Sequence, residues 1–235
     1  MNISDIEKRE VTERITHKDD TIVLNYTGQF KDFGDTLEDG TIIDHGKLWE
    51  FLTRYRMLIK LANITDINGK CVIRQDAIKY DTALELGCDW GHCFEAIQSG
   101  FKEVFGIEVM KSSVDHGVKL GRNVTHGIME KLPYGNGVFD IVISNHVLEH
   151  STDVDKTIKE IKRVTKRNGW GLHTLPLDID GSKLATGGFH NVHLSAEEFI
   201  ELFTNSGFNL VNSFYLWNHD KEDFTMVLRR CGDDK

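Results

Sequence analysis

The sequence predicts an α/β protein with a doubly wound, mostly parallel seven-stranded sheet and an N-terminal helical cap. Short β-rich runs alternate with amphipathic helical runs from residue 82 almost to the C-terminus, and this βαβα order implies parallel strands. A glycine-containing turn follows the first strand, at the edge where open α/β sheets bind ligands. With 235 residues, of which 40% are hydrophobic, the chain can bury one full-sized core.

The N-terminal part divides into an irregular stretch and a helix. Residues 1–44 are polar and keep no helical or strand period. Residues 46–62 carry apolar side chains three or four positions apart, which predicts an amphipathic helix. Its apolar stripe comprises Leu48, Phe51, Leu52, Tyr55, Leu58, Ile59 and Ala62. We therefore expect residues 1–80 to form an extension and helical cap on a single domain over residues 81–235.

The remaining elements follow from periodicity and from capping residues. The predicted strands are 82–86, 104–108, 123–127, 138–144, 170–175, 208–215 and 223–229. The predicted helices are 91–99, 111–119, 153–166 and 195–206. Asp153 can cap the third of these helices, whereas Ser195 and Glu198 form a capping box for the fourth and Gly207 ends it.

Composition disfavours several classes of protein. The net charge of -9 repels a phosphate backbone, so extended nucleic acid is not expected as a partner. The chain has neither a long apolar run nor the basic and apolar start of a secretory signal, which predicts a cytoplasmic protein without a membrane span. The four cysteines have no zinc or redox spacing, and we expect reduced thiols.

The turn Gly87-Cys88-Asp89-Trp90-Gly91 is the first candidate ligand site. Its glycines let a ligand lie against the backbone, and the helix after it should present free N–H groups. The spacing is GxxxG rather than GxGxxG, and Asp89 would repel a pyrophosphate, so NAD and FAD are disfavoured. Glu108 ends the next strand, where a carboxylate can accept hydrogen bonds from both hydroxyls of a ribose.

Three segments carry a family resemblance: ALELGCDWG, FGIEVMKSSV and GIMEKLPYGNGVFDIVISNHVLEH. In order and spacing they resemble the class I small-molecule methyltransferases of the ubiquinone- and menaquinone-biosynthesis type, over about residues 80–230. The resemblance implies a Rossmann-like sheet with an antiparallel last strand. It also implies S-adenosylmethionine as cofactor and methyl transfer to an oxygen, nitrogen or carbon of a small-molecule acceptor.

The resemblance further implies which residues contact the cofactor. Its methionine part would lie on Glu85, Gly87, Cys88, Asp89 and Gly91. Its ribose and adenine would lie on Glu108, Val109, Ile128, Met129 and Glu130. Its methyl-bearing end would lie beside Asn145 and His146.

Two positions depart from the family pattern, which usually has glycine at Asp89 and an acidic residue at Ile128. Aspartate enters the left-handed conformation more readily than most residues, and its carboxylate suits a sulfonium cation. Ile128 offers the adenine only apolar contact. These departures keep open a second hypothesis, a protein that binds S-adenosylmethionine without catalysis.

A third hypothesis comes from the segment His146-Val147-Leu148-Glu149-His150, which is literally H-x-x-E-H, an inverted zinc-hydrolase pattern. That pattern requires a long helix, whereas here it follows a strand and precedes a new helix start at Asp153. We therefore prefer a structural pairing of Glu149 with His150 and expect no metal there.

The acceptor side is the least determined part of the site. Candidate bases are His146 and, from the loop after the fifth predicted strand, His190 and His193. The same loop offers Asp178 and Asp180, which with these two histidines can bind a divalent metal. Arg54-Tyr55-Arg56 in the cap helix would present an aromatic edge and positive charge to an acidic acceptor. The acceptor itself and the oligomeric state do not follow from the sequence.

Overall fold

The computed structural model describes residues 45–64, 80–177, 190–218 and 221–232. The helices are α1 (His45–Ala62), α2 (Phe94–Ile97), α3 (Lys111–Lys119), α4 (Val154–Val164) and α5 (Ala196–Asn205). The strands are β1 (Tyr80–Leu86), β2 (Phe101–Glu108), β3 (Asn123–His126), β4 (Phe139–Asn145), β5 (Thr165–Leu177), β6 (Phe208–Asn218) and β7 (Lys221–Arg230). Each predicted strand is confirmed. The stretch 1–44, Cys71, Asp178 and Asp180 lie outside the described residues.

The described strands form one seven-stranded sheet in the order β3-β2-β1-β4-β5-β7-β6. Strand β1 pairs in parallel with β2 and β4, whereas β7 runs antiparallel to β5 and β6. This confirms the predicted Rossmann-like, mostly parallel sheet with an antiparallel last strand. The strand order reverses between β1 and β4, so the carboxyl ends of these two strands frame the crevice where ligands bind in such sheets.

Both faces of the sheet are buried under helices, as a doubly wound fold requires. Val142 of β4 lies in an apolar cluster with residues of α4 and α5. Its neighbours Ile141 and Ile143 lie in a second cluster with residues of α1 and α2. The alternation along β4 therefore joins two cores in one unit. Among the described residues, no helix combines the length and apolarity needed to cross a membrane.

Helix α1 forms where it was predicted, but its C-terminal part, where the side chains are described, buries a different face. Met57, Lys60 and Leu61 are at most 2% exposed, whereas Leu58 is 37% exposed and Ala62 is also exposed. The prediction that Leu58 and Ala62 belong to the buried stripe is therefore wrong. The face is displaced because Lys60 finds polar partners inside the protein, which brings Met57 and Leu61 onto the core beside it.

The predicted helix 91–99 is reduced to the single turn α2. Gly87, Asp89 and Gly91 have φ angles of 61°, 51° and 81°, values outside the right-handed helical region. The turn therefore extends past Gly91, and the helix begins only at Phe94. The expected row of N–H groups at the start of a long helix is absent from this part of the structure.

The other helix boundaries are set by the predicted caps. The Asp153 side chain accepts a hydrogen bond from the Lys156 amide at 3.0 Å. Ser195 and Glu198 form both hydrogen bonds of the capping box. Gly207, with φ of 94°, follows the end of α5. These local interactions confirm the starts of α4 and α5 and the end of α5.

Candidate active site

The turn after β1 packs so tightly that one position admits only glycine. A Cβ on Gly87 would lie 2.4 Å from Cγ2 of Val147, which follows β4. The Gly87 amide donates to the carbonyl of Ile107 on β2 at 2.9 Å. Asp89 adopts the left-handed conformation, with φ of 51°. The turn thus links three strand ends, and the backbone of Gly87 is exposed at the crevice.

The Cys88 side chain does not face the crevice. A Cβ on Gly106 of β2 would lie 2.2 Å from Cys88 Sγ, so the thiol occupies the space that this glycine leaves. Burial raises the pKa of the Cys88 thiol well above its usual value, which keeps it protonated. Only the backbone of Cys88 is available to a ligand. Cys88, Cys93 and Cys231 are free thiols, as predicted.

Two buried carboxylates flank the turn. Glu108 Oε2 accepts from the Asp89 amide at 3.0 Å, and Oε1 accepts from the Met110 amide at 2.8 Å. Glu85 lies on β1, and its Oε2 has no hydrogen-bond partner among the described residues. Burial raises the pKa of Glu85 to about 8, and the Asp89 carboxylate adds to the rise. A buried carboxylate oxygen without a partner is suited to a cationic ligand group.

The Glu130 carboxylate is turned away from the crevice. Its Oε1 accepts from the Thr152 amide at 2.8 Å and the Thr152 hydroxyl at 2.9 Å. The Ser151 hydroxyl donates to the same oxygen at 3.2 Å. Glu130 therefore fixes the turn before α4, and the predicted cofactor contact is narrowed to its backbone.

The other predicted adenine contacts lie on the segments after β2 and β3. Val109 directly follows β2, and its carbonyl oxygen lies 2.9 Å from His126 Nε2. Ile128 and Met129 follow β3 and are half-buried. These three residues keep their predicted position at the carboxyl edge of the sheet.

At the end of β4, four polar side chains meet, two of them buried and two half-buried. His146 Nε2 lies 2.8 Å from Asp223 Oδ1, and His146 takes the left-handed conformation with φ of 54°. Lys60 Nζ donates to Asn145 Oδ1 and lies 3.8 Å from Asp223 Oδ2. Lys60 and Asp223 are 2% and 1% exposed. We name these residues, Lys60, Asn145, His146 and Asp223, the polar network.

Charge is balanced within the polar network. Burial lowers the pKa of Lys60 to about 8, while Asp223 acts in the opposite direction. Burial would raise the pKa of Asp223, but the hydrogen bond and charge of His146, together with Lys60, leave it below its usual value. Asn145 and His146 were predicted site residues, whereas Lys60 and Asp223 were not. No local signal marks them, because Lys60 lies outside the predicted apolar stripe and Asp223 is the first residue of the predicted strand 223–229.

Arg54 does not present its charge to an acceptor. Its Nε donates to the His92 carbonyl at 2.8 Å, and its guanidinium lies 3.7 Å from Glu95. Arg54 therefore joins α1 to the segment around α2. The expected role of Arg54 toward an acidic acceptor is replaced by this structural one.

The three predicted histidines do not meet at one point. His146 is bonded to Asp223, whereas the His190 ring lies edge-on to His150, with ring centroids 5.2 Å apart. His193 is exposed, and a catalytic role for it stays a prediction. The H-x-x-E-H pattern is also not helical, because His146 has positive φ and only Leu148–His150 form a single 3-10 turn. The helical zinc motif is therefore not formed.

Comparison with known proteins gives a consistent picture of the central segment. Residues 84–172 match the family described as "Methyltransferase domain". YcgJ, an uncharacterized methyltransferase of Bacillus subtilis, is 29% identical over 93 residues, 37% of each chain. A probable S-adenosylmethionine-dependent methyltransferase of Mycobacterium tuberculosis is 26% identical over 130 residues, 53% of this chain and 47% of that protein. The chain thus spans less than half the length of these relatives.

Solved structures share the fold at low identity. The [4+2]-cyclase SpnF superposes with a TM-score of 0.61 and 15% identity, covering 75% of this chain and 81% of that one. The YcgJ crystal structure superposes with a TM-score of 0.55 and 15% identity, covering 77% of this chain and all of that one (100%). The chain therefore shares the Rossmann-like α/β fold of these proteins.

Proposed function

We propose that the chain is an S-adenosylmethionine-dependent methyltransferase acting on an oxygen, nitrogen or carbon of a small-molecule acceptor. The observation that carries the proposal is the pair of buried carboxylates, Glu85 and Glu108, on either side of the Gly87 turn. The methyltransferase-domain match over residues 84–172 and the names of the relatives support the same cofactor.

The residues present fit this cofactor. Each carboxylate oxygen offers two lone pairs, so the backbone bonds of Glu108 leave acceptor capacity for the two ribose hydroxyls. The Asp89 carboxylate suits the sulfonium charge of the methionine part. The partnerless Oε2 of Glu85 can accept a hydrogen bond from its ammonium group, and the positive charge of that group favours the ionised form of Glu85.

When bound, S-adenosylmethionine supplies a methyl group on a positively charged sulfur. The protein has to align the acceptor and receive its proton. A His146 that donates from Nε2 to Asp223 presents the lone pair of Nδ1, which can accept a proton from an acceptor O–H or N–H. The Asp223 carboxylate stabilises the imidazolium that results. We therefore assign His146 as base and Asp223 as its positioning residue.

The acceptor is the open part of the proposal. The net charge of -9 supports a small-molecule acceptor over extended nucleic acid. We place the protein in the cytoplasm, as expected from the sequence. Acceptors related to quinone precursors are one candidate, which rests on the three resembling segments alone.

Isothermal calorimetry with S-adenosylmethionine and S-adenosylhomocysteine tests cofactor binding. We expect both to bind wild type and Glu108→Ala to weaken binding at least about tenfold, because hydrogen bonds to a charged group contribute about 1.5–3 kcal/mol. Glu103→Ala, on the exposed part of the same strand, is the matched control and should bind normally. Failure of wild type to bind either ligand at millimolar concentration would refute the proposal.

A cofactor-binding protein without methyl transfer is the second candidate. It is favoured by Asp89 and Ile128, which depart from the family pattern, and by the fold's occurrence in a protein named a [4+2]-cyclase. Incubation with methyl-labelled cofactor and a small-metabolite extract separates the two. Label in an extract component supports transfer, whereas binding without label in any extract favours the second candidate.

A further inference from the structure

We propose that Glu149, His150 and His190 form a divalent-metal site beside the crevice. One ligand atom from each, a carboxylate oxygen or an imidazole nitrogen, lies within 4.8 Å of the others. Glu149 is buried and both histidines are half-buried. This set differs from the H-x-x-E-H pattern, because His146 is directed to Asp223 instead.

Hydrogen bonds to backbone carbonyls join the two segments of the chain that carry these three ligands. The Asn191 and Val192 amides both donate to the Glu149 carbonyl, at 2.9 and 3.1 Å. The Asn191 side-chain amide donates to the His150 carbonyl at 2.8 Å. His190 is therefore fixed to the 3-10 turn Leu148–His150, although about forty residues separate them along the chain. The arrangement is a built feature of the fold rather than a chance approach of mobile side chains.

The donor set decides which ions fit. One carboxylate and two imidazoles suit Zn²⁺, Mn²⁺ or Fe²⁺, and three protein ligands leave positions open for a substrate oxygen. Ligand atoms at about 2.1 Å from zinc in tetrahedral geometry lie about 3.4 Å apart. The ligand atoms, which lie within 4.8 Å of one another, therefore have to approach to about 3.4 Å when the metal binds. Rotation of the half-buried histidine side chains provides this movement.

The position of the site gives it a role in the reaction, and this step rests on the proposed function. Glu149 and His150 follow β4 within five residues of Asn145, at the same edge as the Gly87 turn. A metal here can bind an acceptor hydroxyl and lower its pKa.

The O–H bond of the acceptor then breaks and its proton passes to His146, and the acceptor oxygen bonds to the methyl carbon. The carbon–sulfur bond breaks, and its electron pair leaves sulfur as a neutral thioether. The metal keeps its oxidation state, and the acceptor class is a hydroxyl-bearing, metal-binding molecule such as a catechol.

Metal binding is measured on the full chain without an affinity tag, after removal of metal with a chelator. Calorimetry with Zn²⁺ and Mn²⁺ should give one site, confirmed for Mn²⁺ by electron paramagnetic resonance. His190→Ala should weaken metal binding about 100-fold or more. Mutating a residue that only hydrogen-bonds to a metal ligand already weakens binding by about 10- to 100-fold, and losing a ligand itself should cost more. His116→Ala, which removes an exposed histidine on α3, is the control and should bind metal normally.

Three outcomes would overturn the site: no metal binding by wild type, unchanged binding by His190→Ala, or loss of binding in His116→Ala alone. Cofactor calorimetry on the same samples keeps the two proposals separable. Cofactor binding without metal binding rejects only the site, whereas metal binding without cofactor binding rejects only the proposed function.

The acceptor step is tested with catechol as the probe. Catechol should bind the Zn²⁺-loaded protein more tightly than the metal-free protein. Equal binding to both would overturn that step.

Discussion

Glu85→Gln replaces a buried carboxyl by an amide of the same shape and should change how stability depends on pH. Burial raises the pKa of Glu85 from 4.5 to about 8. Between these values the folded protein keeps a proton that the unfolded chain releases. The free energy of unfolding of wild type should therefore fall as pH rises through this window, because the folded state binds more protons there.

The size of this effect follows from the shift in pKa. One unit corresponds to about 1.4 kcal/mol, so a shift from 4.5 to about 8 sets an upper bound of about 5 kcal/mol. Lys60 acts against the rise once Glu85 is ionised. We therefore expect wild type to lose about 2 kcal/mol relative to Glu85→Gln between about pH 5 and about pH 8.

Urea unfolding at both pH values measures the difference. Glu103→Gln, whose side chain is exposed on β2, is the control and should follow wild type. Parallel stability profiles for wild type and Glu85→Gln would refute the reasoning. They would mean that Glu85 ionises in the folded protein as it does in the unfolded chain.

Two further predictions test the turn and the polar network. Gly87→Ala should destabilise the protein by about 2–4 kcal/mol in urea unfolding, because its Cβ would overlap Val147. The control Gly121→Ala meets no atom within 4 Å and should cost only about 1–2 kcal/mol of backbone strain. Equal destabilisation by the two variants would contradict this packing. Asp223→Asn should slow transfer of the labelled methyl group about 100-fold, because His146 loses the carboxylate that positions it. Cofactor binding measured by calorimetry should stay unchanged. An unaltered transfer rate would show that His146 is not the base.

Features encoded in a few neighbouring residues could be predicted from the sequence. The capping box of Ser195 and Glu198 spans four positions, and its two hydrogen bonds need no distant partner. The strand that leads into Gly87 and the carboxylate that ends β2 were predictable for the same reason. Alternating apolar runs determine the strands, and the connections between them determine a parallel sheet.

Features that depend on distant partners could not be predicted. Lys60 lies outside the predicted apolar stripe, and nothing near it in the sequence indicates Asn145 or Asp223 as partners. The buried face of α1 was therefore misplaced. The length of α2 was overestimated for another reason, since the left-handed conformation of Asp89 extends the turn at the expense of the helix. The carboxylate of Glu130 shows the same limit, because its partners are brought near only by folding.

The contact of Asp223 with both Lys60 and His146 has a consequence for synthesis of the chain. Among the described strands, β7 is synthesised last, whereas Lys60 leaves the ribosome long before it. A nascent chain that ends before β7 holds Lys60 and His146 without the acid that joins them, and β5 has an open edge. The site is therefore assembled only after β7 has been synthesised and has paired with β5. Chains truncated before β7 should lack the polar network, however well their first strands fold.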